Sequence, residues 1–108
     1  MSLYEHVLIF KQDLSSSQLE TEISMHKELI KELGGEVVYE ESWGLRNLAY
    51  MIKDNKKAFY QFMNISMPGD ANKKIEAKLN LNQNVIRHLS IKVREFDATP
   101  TQLSKEPE

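Results

Sequence analysis

Cysteine is absent from this chain of 108 residues, which excludes disulfides, thiolate nucleophiles and thiolate metal ligands. That absence suits a reducing compartment. Long hydrophobic runs are missing as well: none reaches the roughly 18–20 residues that a membrane span requires. The opening Met1-Ser2-Leu3-Tyr4-Glu5-His6 has no basic segment ahead of an apolar stretch, so it reads as a strand and not as a signal peptide. The expected address is the cytoplasm, or a matrix or stroma descended from one. Histidine is scarce, and His6, His26 and His88 fall on a strand, a helical apolar stripe and the last strand. No pair of them has metal-ligand spacing, and His26 reads as a half-buried helix residue.

Motifs for chemistry are equally thin. There is no P-loop, GxGxxG, GxSxG or HExxH pattern. Glu40-Glu41 is a carboxylate pair, but adjacent strand residues point to opposite faces and cannot share a proton or a metal. Asn64-Ile65-Ser66 matches a glycosylation sequon inside a predicted strand, a chance match. The segment after the first strand, Lys11-Gln12-Asp13-Leu14, lacks the arginine of an acylphosphatase-type phosphate cradle. No catalytic residue, metal or cofactor is expected.

What is present points to one domain with one core, over residues 1–96, and an expected disordered C-terminal tail over 97–108. The net charge is only −2, yet it is segregated along the chain. Residues 1–41 hold three lysines against nine acids, a balance of −6. Residues 42–94 hold ten Lys/Arg against Asp54, Asp70 and Glu76, a balance of +7, and residues 95–108 hold Lys105 against four acids. A basic middle segment of this kind can form one surface attractive to polyanions.

Tyr4 to Phe10 is a predicted strand. Ser17 with Glu20, or Ser15 with Gln18, forms a capping box ahead of a helix whose apolar face is Leu19, Ile23, His26, Ile30 and Leu33, widened by Met25 and Leu29. Gly34-Gly35 stops it. Val37 to Lys53 reads as one long strand bent near Gly44, with Val37, Tyr39 and Trp43 on one parity and Leu48, Tyr50 and Ile52 on the other. After the polar turn Asp54-Asn55-Lys56-Lys57, Phe59 to Met67 returns as the second arm of a hairpin. Pro68-Gly69-Asp70 opens a second helix with Ala71, Ile75 and Leu79 spaced by four, and Val85 to Val93 is the last strand. The order βαββαβ implies an α+β, ferredoxin-like fold: a four-stranded antiparallel sheet with two helices on one face. The other face is left without helices. Phe59, Met63, Ile65 and Met67 make the better core parity, so Tyr60 and Phe62 look out and need a partner.

The binding signals gather in two places. Arg46, Lys53, Lys56 and Lys57 surround the hairpin with Trp43, Tyr50 and Tyr60 interleaved, and Arg87, Lys92 and Arg94 line the last strand. Basic groups fix phosphates, and aromatic rings stack on unpaired bases or fill a protein pocket. The competing reading makes Trp43 and Tyr50 core and leaves the lysines to keep a hairpin tip solvated. An RNA-recognition motif shares this strand order, but Lys57-Ala58-Phe59-Tyr60-Gln61-Phe62 fits its third-strand signature poorly. Gln61 stands where a second stacking aromatic belongs.

The run Trp43-Gly44-Leu45-Arg46-Asn47-Leu48-Ala49-Tyr50-Met51-Ile52 closely resembles the hallmark stretch of the bacterial small-subunit ribosomal protein six family. Tyr4-Glu5, Gly34-Gly35, Lys57-Ala58-Phe59-Tyr60, Met67-Pro68 and Asn84-Val85-Ile86-Arg87 fit the same family, covering about residues 3–94 in order. The resemblance implies a non-enzymatic component of the small subunit that binds 16S rRNA together with small-subunit ribosomal protein eighteen. Carried over by position, Arg46 and the basic hairpin residues would face rRNA, with Arg87, Lys92 and Arg94 of the last strand as further candidates. Glu5, Val7, Ile9, Tyr60 and Phe62 on the sheet would face the partner protein. Many relatives have a second basic residue at the position of Asn47, which lowers the number of phosphate contacts expected there, and many have proline in place of Met51. Two readings from other classes stay open: a free-standing RNA-recognition module, and a ferredoxin-like regulatory protein.

Overall fold

In the computed structural model, which describes residues 1–96, the even-numbered residues of the first strand turn one way and the odd-numbered ones the other. The expected tail, 97–108, lies outside the described residues. The elements are β1 (Ser2–Lys11), α1 (Ser16–Glu32), β2 (Glu36–Ile52), β3 (Asn55–Met67), α2 (Ala71–Leu81) and β4 (Val85–Val93). They form one antiparallel sheet in the order β2-β3-β1-β4, the ferredoxin-like arrangement.

Tyr4, Leu8 and Phe10 point toward the helices and join Met63, Ile65 and Met67 of β3 and Ile30, Ile75 and Leu79 of the two helices in the main core. The apolar parity expected for β3 is therefore the helix side. α1 starts at Ser15, where the capping box forms with Gln18: the Gln18 N–H donates to Ser15 Oγ at 3.2 Å and the Ser15 N–H to Gln18 Oε1 at 2.9 Å. Of the two possible boxes this is the one used. The helix ends in a glycine C-cap, with Gly34 at φ +87° and the N–H groups of Gly34 and Gly35 donating to the carbonyls of Lys31 and Ile30. Gly35 then passes so close to β3 that an added Cβ would lie 2.7 Å from Met67 Cβ. Met25 departs from the expected helix stripe and is 60% exposed.

The second strand departs from simple alternation in three places. Register shifts fall between Val37 and Tyr39, between Ser42 and Gly44, and between Asn47 and Ile52. The first puts Val37 opposite Ile65 on the helix side but Tyr39 opposite Asn64 on the far side, so Val37, Tyr39 and Trp43 do not share a face as their parity predicts. The third leaves the four residues Leu48 to Met51 spanning the single residue Lys56. This arch folds Leu48 and Ile52 over Ile9, Ala58 and Ile86, forming a small second core on the side without helices. The hairpin turn is shorter than the expected polar turn. Lys53 and Asp54 alone make it, with φ +47° and +67°, the geometry of a tight two-residue hairpin.

In β4 His88 and Ser90 face the helices. His88 Nε2 lies 2.9 Å from Asn80 Oδ1, and the Ser90 hydroxyl donates to Asn72 Oδ1 at 2.9 Å, both partners being on α2. Leu89 and Ile91 consequently stand on the opposite face, beside Val7 and Glu5.

Candidate functional site

The face without helices is organised around Gly44. Its φ of +74° and the open space where a Cβ would stand let β2 bulge there. The bulge lays Trp43 on the sheet, its ring 5.8 Å from that of Tyr60 and 5.7 Å from that of Phe62, nearly parallel to the latter at 10°. Glu41 fixes the indole from the side, accepting from Trp43 Nε1 at 2.9 Å and from the Tyr39 hydroxyl at 2.6 Å. The bond to this carboxylate holds the Tyr39 hydroxyl above its ordinary pKa. Glu40 points the other way and takes Lys27 of α1 at 2.6 Å, so the two adjacent carboxylates are split between the two faces.

Arg46 follows the bulge. Its Nε donates to the Trp43 carbonyl at 3.2 Å, and its guanidinium lies 5.9 Å from the indole centroid. It is opposite Ala58 in β3, on the same face as Arg87, which stands opposite Ile9 across β1. Arg87 reaches the arch of β2, where its Nη1 donates to the Tyr50 hydroxyl at 3.2 Å. Tyr50 is thus neither core nor idle: it is exposed and tied to a basic residue across the two intervening strands of the sheet. Lys53, Lys56 and Lys57 are exposed around the turn, and the hairpin is anchored to the end of β1 by Gln12. Its N–H donates to Asn55 Oδ1 at 3.0 Å and its Oε1 accepts from the Lys57 N–H at 3.1 Å.

The fold brings Arg46, Lys53, Lys56, Lys57 and Arg87 to one end of the sheet. It does not bring Lys92 and Arg94 there. Lys92 is opposite Tyr4 and Arg94 follows the end of β4, at the far end where β1 begins and β3 finishes.

The candidate protein-contact residues are also divided. Glu5 and Val7 are half-buried on the face without helices, and Tyr60 is half-buried under Trp43. Ile9 lies in the second core beneath the arch, and Phe62 is only 4% exposed beneath Trp43. They support this face from within. Sequence reasoning missed Leu89 and Ile91, which are 54% and 47% exposed next to Val7 and Glu5. The alternation of the last strand was visible, but nothing in it says which side meets a helix.

Among the described residues no group of three or more His, Asp or Glu side chains is arranged to hold a metal. The histidines instead pack together: the rings of His6 and His26 stack at 4.9 Å. Burial, with His26 and His88 nearby, lowers the His6 pKa to about 3, and burial with His88 nearby lowers that of His26 to about 4. His26 is buried, more deeply than the half-buried position expected for it. No helix among the described residues is long and apolar enough to cross a membrane.

Known proteins similar to this chain bear on the site. The family model of ribosomal protein S6 matches residues 3–92. The small ribosomal subunit protein bS6 of Methylobacterium radiotolerans is 40% identical over 103 residues, which cover 95% of this chain and 67% of that protein. The bS6 protein of Rickettsia felis is 39% identical over 105 residues, covering 97% of this chain and 87% of that one. The crystal structure of 30S ribosomal protein S6 from Thermotoga maritima superposes with a TM-score of 0.82, at 22% identity, over 85% of this chain and 87% of that one, a likeness of fold. The order of strands and helices, the hallmark stretch around the Gly44 bulge and the match along nearly the whole described chain lead to one conclusion: the chain belongs to the bacterial-type ribosomal protein S6 family.

Proposed function

We propose that this structural ribosomal protein binds 16S rRNA with the basic end of its sheet and small-subunit ribosomal protein eighteen with the rest of the face that the helices leave bare. Membership of a ribosomal protein family makes it a component of the small subunit and not an enzyme. The observation that carries the finer reading is the adjacency of two unlike surfaces. Arg46, Lys53, Lys56, Lys57 and Arg87 crowd one end, and Leu89, Ile91 and Val7 lie on the face that Arg46 and Arg87 share. Phosphates favour the first and an apolar protein neighbour the second. Lys92 and Arg94, at the far end, would meet rRNA only through a second contact.

A net charge of −2 is low for a protein that binds rRNA alone, so the partner supplies much of the positive charge and the two bind together. The setting is the cytoplasmic ribosome. The test measures affinity for the cognate rRNA fragment at near-physiological salt, using this chain, the partner and their mixture. Weak binding by each alone and tight binding by the mixture are expected. Tight, site-specific binding by this chain alone, unimproved by the partner, would overturn the cooperative reading.

A further inference from the structure

The helix side of the molecule carries a second surface of a different kind. A groove of about 780 Å³ runs between α1 and α2, closed below by the buried core residues Leu8, Phe10 and Leu79, with the half-buried Leu29 on its wall. Met25, 60% exposed, stands on its wall one turn before Leu29. A large apolar side chain so exposed on an otherwise amphipathic helix has surface to offer, and methionine adapts to irregular partners. The rim is acidic. Glu20, Glu22, Glu28 and Glu32 line it against the single cation Lys78. Glu22 is engaged at the groove's end, accepting from Asn82 Nδ2 at 2.9 Å and from the Asn84 side-chain amide at 2.6 Å. Glu20, Glu28 and Glu32 make no ion pair among the described residues. His26 also lines the groove, buried, with its Nε2 lacking a hydrogen-bond partner.

We propose that this groove docks a basic amphipathic segment of another protein, with apolar side chains against Met25 and Leu29 and lysines or arginines against the glutamates of α1. The occupant's sign follows from charge complementarity. RNA is repelled by the same glutamates that attract the segment. The chain's own last fourteen residues hold Lys105 against four acids and carry the wrong sign. An apolar stripe, the exposed Met25 and the half-buried Leu29, between charged residues is the form that receives an amphipathic helix. This surface lies on the opposite side of the sheet from Trp43 and Leu89, so the inference stands apart from the rRNA and partner reading.

The test uses the full chain, isotopically labelled, and a helical peptide of about 18 residues with leucine on one face and lysine on the other. Its counterpart carries glutamate in place of lysine. Expected are saturable amide shifts centred on Met25, Leu29, Leu79 and Asn82 with the lysine peptide and none with the glutamate peptide. Glu28→Lys with Glu32→Lys is expected to weaken binding roughly tenfold, and Met25→Ser severalfold, with melting curves unchanged because all three sites are exposed. In assembled small subunits, a photo-crosslinker at Met25 is expected to label a segment of another protein that mass spectrometry reads as basic and amphipathic. Four results would overturn the proposal: equal shifts with both peptides, shifts on acidic residues that spare Met25 and Leu29, cross-linking to rRNA or to no protein, and concentration-dependent self-association through this face, which would make the occupant a second copy.

Discussion

The imidazoles of His6 and His26 lie nearly parallel, 4.9 Å apart and inclined by only 16°, in the layer between the sheet and the first helix. Two protonated rings could not be held so close away from water, and both pKa values are depressed, to about 3 and about 4. Unfolded, each ring would take up a proton near pH 6.5; folded, neither does until far lower. The unfolded chain therefore binds more protons in that window, and stability is greatest above pH 6.5 and declines as pH falls toward about 4. The expected decline is about 1.4 kcal/mol per pH unit for each histidine. Urea titrations between pH 7 and 5, above most carboxylate titration, should show the slope, and His26→Gln should reduce it by about half. Stability that is flat across this range would show that the rings are not held neutral by the fold.

Arg46→Ala should weaken rRNA binding at low salt and leave the domain folded. The arginine is held by Trp43 on an open face, and a phosphate contact contributes through counterion release, so its effect should shrink as salt rises. Binding isotherms over a salt series check this. Unchanged low-salt affinity with an intact melting curve would remove Arg46 from the rRNA contact.

Truncation of the buried aliphatics Ile30→Ala and Ile65→Ala should each destabilise by about 2–5 kcal/mol. Phe62 belongs with them despite facing away from the helices, because Trp43 roofs it over, and Phe62→Ala should lose about 3–5 kcal/mol. Tyr60→Ala, at a half-buried position, should lose less. Chemical denaturation ranks the four. A Phe62 variant as mild as the Tyr60 variant would mean that the indole does not seal this face in solution.

Leu89→Asp and Ile91→Asp should leave the domain folded because both side chains are about half exposed, with a loss of about 1 kcal/mol that is larger for Ile91→Asp, opposite Glu5. Each should strongly weaken association with the partner protein, since a carboxylate would then lie at the centre of an apolar contact. Calorimetric titration with the partner checks the pair. Full affinity in both variants would move the protein contact away from β4.

Gly35→Ala should destabilise the domain although Gly35 has an ordinary φ. The new methyl would meet Met67 Cβ at 2.7 Å and the Ser66 carbonyl oxygen at 2.9 Å, and backbone cannot yield as a flexible side-chain end can. A loss of about 1–3 kcal/mol is expected in thermal melts. No loss would show that the α1–β2 connection has slack.

The elements and their order could be read from the chain because they depend on local chemistry. Ser15 and Gln18 cap a helix, Gly34-Gly35 ends it, Ala71, Ile75 and Leu79 repeat every fourth residue, and Val85 to Val93 alternates cleanly. The hallmark stretch around Gly44 carried the family as well. Tertiary structure decided which side each alternating residue faces. A period of two reports that there are two sides but not which is buried, and each register shift in β2 reverses the assignment, which separated Val37 from Tyr39 and Trp43. The polar side of β4 faces the helices because Asn72 and Asn80 on α2 supply hydrogen-bond partners for Ser90 and His88, a pairing between residues of distinct elements that no local pattern contains. The arch from Leu48 to Met51 and the meeting of Tyr50 with Arg87 arise in the same way, 37 residues apart in sequence and joined only once the sheet has formed.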